Sequence, residues 1–132
     1  MLMLPVILIV MIGMLCACSA APSPGAATLQ LNEADNGRSI ELRSGDRLEI
    51  TLPGNPTTGF QWQVSVGNSA ILQPLGEPEF KPSSSAIGSG GKITLRFAAL
   101  GSGQMELKLI YHRPFEKDVP PAQTFAVNIT VR

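Results

Sequence analysis

The residues that could perform chemistry are few in this chain. His112 is the single histidine, and the two cysteines, Cys16 and Cys18, both lie near the amino terminus. A metal site of the Cys/His type is therefore not expected. A Ser-His-Asp arrangement that uses His112 stays open, although no serine lies in a sequence typical of a nucleophile turn. No glycine-rich phosphate motif opens a helix either, so we expect neither catalysis nor a cofactor.

Charge is balanced along the chain. Its 132 residues include ten lysines and arginines and ten aspartates and glutamates, which gives a formal net charge of zero at pH 7. Such a balance argues against a nucleic acid or an anionic surface as the partner. No cysteine follows Cys18, so an exported domain would be held together by its core without a disulfide. The sequence indicates one domain, which we expect to be a monomer.

The amino-terminal residues are typical of an export signal. Residues 1–17 are apolar and contain no charged side chain, which suits a secretory signal better than a membrane-spanning helix of roughly 20 residues. The segment leads into Leu-Cys-Ala-Cys, which resembles the bacterial lipobox and marks Cys18 as the lipidated residue. Cleavage at an ordinary signal site near Ala21 is the alternative. Because no Lys or Arg precedes the apolar run, either the signal is atypical or the true start differs.

A lipid anchor would define where the protein acts. Residues 18–27 are small, polar or proline-rich, which predicts a flexible tether, and residues 28–132 form the remaining domain. We therefore expect an exported protein that is held in the bacterial cell envelope only through lipid on Cys18. Ser19 after this cysteine resembles lipoproteins of the outer membrane, on its periplasmic or surface side.

From residue 28 onward, apolar and polar residues alternate with a period of two. Residues 47–52 are the clearest example, since Leu48, Ile50 and Leu52 are separated by charged or polar residues. Further alternating runs cover residues 29–31, 40–42, 60–66, 92–97, 105–111 and 125–131. Such runs, separated by turn residues, predict an all-β sandwich or barrel of about seven to eight strands. Two facing sheets would bury their apolar sides, with Trp62 at the centre of the core.

Three connections between these runs are unusual in composition. Residues 53–59 (PGNPTTG) combine a proline, which restricts the preceding asparagine, with two stiff β-branched threonines. Residues 81–91 (KPSSSAIGSGG) end in residues with almost no side chain, which would let another backbone approach closely. Residues 112–121 (HRPFEKDVPP) place arginine and phenylalanine beside proline, a composition typical of binding hot spots. The alternative is that the three segments only connect strands. The first would then be a common turn whose sequence matches by chance, the second a mobile hairpin tip, and the third a loop whose Phe115 folds back onto the sandwich.

The order of the three motifs is more specific than any one of them. Between the strands the chain carries, in this order, Asn-Pro-Thr-Thr-Gly-Phe, Gly-x-Gly-Gly and Tyr-x-Arg-Pro-Phe. With these motifs, residues 29–131 resemble the chagasin-like cysteine protease inhibitors. Phe115 stands where tryptophan is frequent in that family, and Phe60 where tyrosine is common. The resemblance implies an immunoglobulin-like β-sandwich with three inhibitory loops at one end. It also implies reversible, non-covalent, tight-binding inhibition of papain-like cysteine proteases.

The resemblance further implies which residues bind the protease. The group that would enter the middle of the cleft and cover the catalytic cysteine and histidine is Asn55, Pro56, Thr57, Thr58 and Gly59, followed by Phe60. The group that would line one side of the cleft is Gly88, Gly90 and Gly91. The group that would pack on the other side, against an exposed indole, is Arg113, Pro114 and Phe115. We also expect the two threonine hydroxyls to donate hydrogen bonds into the catalytic centre without adding charge.

A non-protease partner is the main alternative. A cell-envelope β-sandwich lipoprotein could carry similar loops, because unrelated functions share this kind of fold. The inhibitor interpretation makes a geometric demand that this alternative does not make. All three motifs must emerge at the same end of the sandwich.

Overall fold

The computed structural model describes residues 27–132. The expected signal and Cys18 lie outside the described residues, as does nearly all of the tether. No helix within residues 27–132 is long and apolar enough to cross a bilayer. This part of the chain forms nine strands: β1 Thr28–Asn32, β2 Ser39–Leu42, β3 Arg47–Gly54, β4 Gln61–Val66, β5 Leu72–Pro74, β6 Glu79–Pro82, β7 Gly91–Ala99, β8 Gly103–His112 and β9 Gln123–Val131. Two short 3-10 helices, Glu33–Asp35 and Pro56–Thr58, lie between strands.

The strands form two sheets that pack face to face. The first sheet has the order β1-β3-β7-β5, with β6 also paired to β7, and the second has the order β2-β9-β8-β4. The β1–β3 and β2–β9 pairs are parallel, and the other pairs are antiparallel. The prediction of an all-β sandwich is confirmed.

The core lies between the sheets and follows the alternation of the sequence. In β3, Leu48, Ile50 and Leu52 are buried, whereas the residues between them are partly exposed. The largest fully buried side chains belong to Phe97 of β7 and Phe125 of β9. Trp62 is buried as well, but it lies near the start of β4, so it closes one end of the core and does not form its centre.

Two features differ from the sequence prediction. The described residues contain nine strands, whereas the sequence predicts about seven to eight. The sequence pattern missed β5 and β6 because they are only three and four residues long, too short to show a recognisable alternation. The sequence also predicts that Val64 and Val66 are buried in phase with Trp62, and this is wrong, since they are 37% and 46% exposed. β4 is an edge strand whose pairing with β8 shifts register between these valines. Such a bulge bends the strand and turns Val66 away from the core, whereas Val64 precedes the shift and is exposed on the edge strand, which pairs only with β8 among the described strands.

Candidate functional site

The three motifs lie in loops at the same end of the sandwich. The loops are loop 1, residues 55–60 between β3 and β4; loop 2, residues 83–90 between β6 and β7; and loop 3, residues 113–122 between β8 and β9. Gly54 of β3 pairs with Gly91 of β7, and Gln61 of β4 pairs with His112 of β8. The strand ends that carry loop 1 are therefore adjacent to those that carry loops 2 and 3. The geometric demand of the inhibitor interpretation is met.

Loop 1 is closed on itself by Asn55. The Oδ1 atom of Asn55 accepts hydrogen bonds from Thr57 N at 3.1 Å and from Thr57 Oγ1 at 2.5 Å. Thr58 Oγ1 donates to the Asn55 carbonyl oxygen at 2.6 Å. Pro56 begins the 3-10 helix, where its fixed φ is favourable, and Gly59 ends it at a φ of 83°. Both threonine hydroxyls donate inside the loop in the unbound domain, and their donation into a catalytic centre stays a prediction.

An aromatic stack supports loop 1 from below. The Tyr111 hydroxyl accepts a hydrogen bond from Asn55 N at 2.8 Å, and Trp62 Nε1 donates to the Pro53 carbonyl oxygen at 3.0 Å. The Tyr111 ring centroid lies 5.0 Å from that of Phe60 and 5.0 Å from that of Trp62. Tyr111 and Trp62 are buried, so they hold the loop without forming its surface. Sequence reasoning missed this role, although the single Trp and the single Tyr, which stand beside the first and third motifs, were a usable signal.

A hydrogen bond joins loop 1 to loop 2. Asn55 Nδ2 donates to the Gly88 carbonyl oxygen at 2.9 Å, and Gly88 has a φ of 78°, which favours glycine. Gly90 packs against loop 1, since a Cβ added to it would lie 3.8 Å from the Asn55 Cβ. Gly91 lies in β7, where an added Cβ would collide with the Lys81 carbonyl oxygen. The glycines of this motif thus serve contacts within the domain. Gly91 is one that the sheet needs, because a side chain there would collide with the neighbouring strand.

Loop 2 has its own internal hydrogen bonds and an exposed apolar tip. Ser83 Oγ donates to the Gly90 carbonyl oxygen at 2.7 Å, and Ser84 Oγ donates to Ser89 Oγ at 3.0 Å. Ile87 is fully exposed at the tip. Sequence reasoning passed over Ile87, but it is the one large apolar residue in a stretch of serine, glycine and alanine. An isoleucine held in solvent by an ordered loop is a candidate contact residue.

Arg113 joins loop 3 to loop 1. Its Nε donates to the Thr58 carbonyl oxygen at 3.0 Å, and its guanidinium carbon lies 4.4 Å from the centroid of the Phe60 ring. A second nitrogen donates to Glu116 Oε1 at 2.8 Å. Arg113 was expected to pack on the protease, whereas the structure directs its hydrogen bonds inward. Arg113 therefore positions loop 3 against loop 1.

Phe115 lies on the outer surface of loop 3. It is 72% exposed, and its ring edge touches loop 1, because a Cβ added to Gly59 would lie 2.9 Å from Phe115 Cε1. The alternative in which this side chain folds back onto the sandwich is not observed. Gly59 and Phe115 thus fit together, and the ring keeps most of its surface available to a partner.

The charged residues of the three loops all lie in loop 3: they are Arg113, Glu116, Lys117 and Asp118, of which Arg113 and Glu116 form an ion pair. Loops 1 and 2 contain no charged residue. Two groups with displaced pKa values lie outside the loops. Hydrogen bonds from Asn32 N, and then from Arg38, lower the pKa of the Asp35 carboxyl, and neighbouring glutamates, first Glu79, raise the pKa of Arg96. A partner that covers loops 1 and 2 would therefore bury an uncharged surface, at a small desolvation cost.

His112, the candidate base of a catalytic arrangement, contacts an amide side chain. The Nε2 atom of His112 makes a hydrogen bond with Gln63 Oε1 at 2.7 Å, so this contact is with an amide and not with a serine hydroxyl. Residues 27–132 contain no group of three or more His, Cys, Asp or Glu side chains that could hold a metal ion. The hydrogen bonds within and between the loops give this end of the domain a defined shape.

Comparisons with known proteins point to the same family. Residues 41–129 match the model of the chagasin family peptidase inhibitors, I42. Chagasin of Trypanosoma cruzi is 28% identical over 102 residues, covering 74% of this chain and 93% of the relative. Amoebiasin-1 of Entamoeba histolytica is 28% identical over 106 residues, covering 79% of this chain and 100% of the relative.

A solved structure shows the same fold. The crystal structure of a cysteine protease inhibitor from Entamoeba histolytica superposes with a TM-score of 0.73 at 23% identity, covering 83% of this chain and 100% of that chain. The match of the family model spans most of the described domain and contains all three loops. This chain belongs to the chagasin family of peptidase inhibitors and is not an enzyme.

Proposed function

We propose that this protein is a reversible, non-covalent, tight-binding inhibitor of papain-like cysteine proteases that occludes the active-site cleft with its three loops. The observation that carries the proposal is the direct bonding of the loops to one another at one end of the domain. Asn55 bonds to Gly88, and Arg113 bonds to Thr58. The three loops therefore behave as one preformed surface. Relatives named chagasin and amoebiasin, and the family description as peptidase inhibitors, agree with this function.

In the proposed complex, loop 1 enters the middle of the cleft. Its exposed tip, Pro56, Thr57 and Thr58, covers the catalytic cysteine and histidine of the protease. The tip is a 3-10 helix, so it does not present an extended peptide bond for attack. Because the loop is already ordered, little conformational entropy is lost on binding.

Loops 2 and 3 contact the two sides of the cleft. In loop 2, Gly88 and Gly90 let the protease backbone approach closely, and Ile87 supplies the apolar contact. In loop 3, Phe115 packs against the opposite wall while Arg113 holds the loop in place. Together the loops can cover about 800 Å² per partner, the usual size for protease–inhibitor pairs. The inhibitor acts as a monomer.

Replacing Ile87 by aspartate should weaken inhibition by about tenfold, the loss typical of an apolar contact residue in an interface. The folded state should be unaffected, because Ile87 is fully exposed. Inhibition constants and thermal midpoints of wild type and variant measure the two effects. Leu100→Asp is the matched control, since Leu100 is also exposed and lies just after β7 at the opposite end. Equal inhibition by wild type and Ile87→Asp would remove Ile87 from the interface.

Titration of residues 28–132 against papain tests the function as a whole. We expect stoichiometric inhibition in the nanomolar range. No inhibition at micromolar concentration would favour a non-protease partner. A second titration uses papain whose thiol is alkylated with a small group. Binding should persist, though more weakly, because the mechanism is occlusion, and complete loss would indicate a covalent or thiolate-dependent mode.

We also propose that the protein is exported and anchored through lipid on Cys18, with residues 1–17 as the signal and residues 18–27 as the tether. The apolar run and the Leu-Cys-Ala-Cys sequence support this proposal. The anchor would hold the inhibitor in the bacterial cell envelope. Mass spectrometry of the membrane fraction for a lipidated amino-terminal Cys18, lost in Cys18→Ser, tests it.

A further inference from the structure

A crevice runs down the flank of the sandwich from loop 1. It encloses about 270 Å³ between β4 of the second sheet and the β6–β7 pair of the first. Its apolar walls are Pro56, Phe60, Trp62, Pro78, Phe80 and Ile93. It is next to a second cavity of about 490 Å³, which shares Trp62 and Pro78 with it and is also lined by Pro114 of loop 3. The two cavities thus connect the flank with the tips of loops 1 and 3.

One carboxylate stands beside these apolar walls. Glu77 is exposed and lines both cavities. Neighbouring glutamates are paired, since Glu79 and Glu49 both bond to Arg96. Glu77 has no ion-pair partner among residues 27–132. An apolar crevice with a single free negative charge at its mouth is complementary to a long side chain with a positive end.

We propose that this crevice binds a lysine or arginine side chain from the rim of the target protease's cleft, which rests on the proposed function. The aliphatic stem of such a side chain packs against Pro78 and Phe80. Its cationic head pairs with Glu77. Pro56 belongs both to the tip of loop 1 and to the crevice wall, so the crevice is continuous with the surface that meets the protease. The interface thereby extends beyond the three loops.

Charge variants of Glu77 test this inference. Inhibition constants are measured for wild type, Glu77→Gln and Glu77→Lys, against the papain-like protease that the wild type inhibits most tightly. At low salt, Glu77→Gln should raise the inhibition constant by about tenfold, and Glu77→Lys should raise it further. The difference from wild type should shrink at high salt because the pair is near the surface. Glu106→Gln is the matched control, since Glu106 is an exposed glutamate on β8.

The outcomes separate this inference from the proposed function. If both Glu77 variants inhibit as tightly as the wild type while Thr58→Arg abolishes inhibition, the crevice binds no cation and the inhibitor function stands. If Glu106→Gln weakens inhibition as much as Glu77→Gln, the effect is general charge steering, and the inference is wrong. If the wild type inhibits no papain-like protease, the proposed function fails and the inference fails with it.

Discussion

Arginine in place of Thr58 is expected to abolish inhibition of papain while the thermal midpoint of the domain stays close to that of wild type. Thr58 is exposed at the tip of loop 1, and its hydroxyl makes one hydrogen bond, to the Asn55 carbonyl oxygen. The long cationic side chain would either lose its hydration inside the cleft or hold the tip away from it. Burying an unpaired charge costs several kcal/mol, so the inhibition constant should rise by about 100-fold or more.

Two further variants make this result specific to the tip. Ser102→Arg adds the same charge in the turn between β7 and β8, at the opposite end of the sandwich, and should inhibit like wild type. Thr58→Ser keeps the hydroxyl and should lose little. Circular dichroism melts establish that all three variants are folded. Tight inhibition by Thr58→Arg would mean that loop 1 does not occupy the middle of the cleft, and the wedge model would have to be abandoned.

The sequence predicted the features that depend on local pattern. Residues 47–52 alternate clearly, and β3 follows this alternation from Leu48 to Leu52. The resemblance of the three motifs to the chagasin-like inhibitors likewise implied loops at one end, which the structure shows. The prediction of strands and buried residues from the alternating pattern failed where a strand is short or irregular. β5 has three residues, and the edge strand β4, with its bulge after Val64, leaves Val64 and Val66 exposed against their alternation.

Side-chain direction within the loops could not be predicted from the sequence. Asn55 bonds to a carbonyl 33 positions away, and Arg113 bonds to one 55 positions away. Local composition identifies such residues as loop residues, but it does not tell whether a polar side chain faces the partner or a neighbouring loop. Tertiary contacts decide this. Asn55 and Arg113 thus join the loops in the unbound domain, a role that local composition does not reveal, and their contact with a protease stays a prediction.

Replacing Asn55 by alanine should weaken inhibition of papain by about 100-fold, since ordering loose loops on binding costs conformational entropy. The change removes the acceptor for Thr57 N and Thr57 Oγ1 and the donor to the Gly88 carbonyl oxygen. The free energy of unfolding should fall by about 1–2 kcal/mol, as for the loss of a helix N-cap. Urea unfolding measures the stability, and association and dissociation rates with papain measure the inhibition.

Asn55→Asp separates the two functions of this side chain. Aspartate still accepts from Thr57 and remains a good N-cap residue, but it cannot donate to the Gly88 carbonyl oxygen and places a negative charge beside it. This variant should therefore keep the turn of loop 1 and lose its bond to loop 2, with inhibition between that of wild type and Asn55→Ala. Asn128→Ala, an exposed asparagine on β9, is the control and should behave like wild type. If Asn55→Ala inhibits as well as wild type although hydrogen exchange at Thr57 N is faster, then the loops bind without being preformed, and joining them is not what makes this domain an inhibitor.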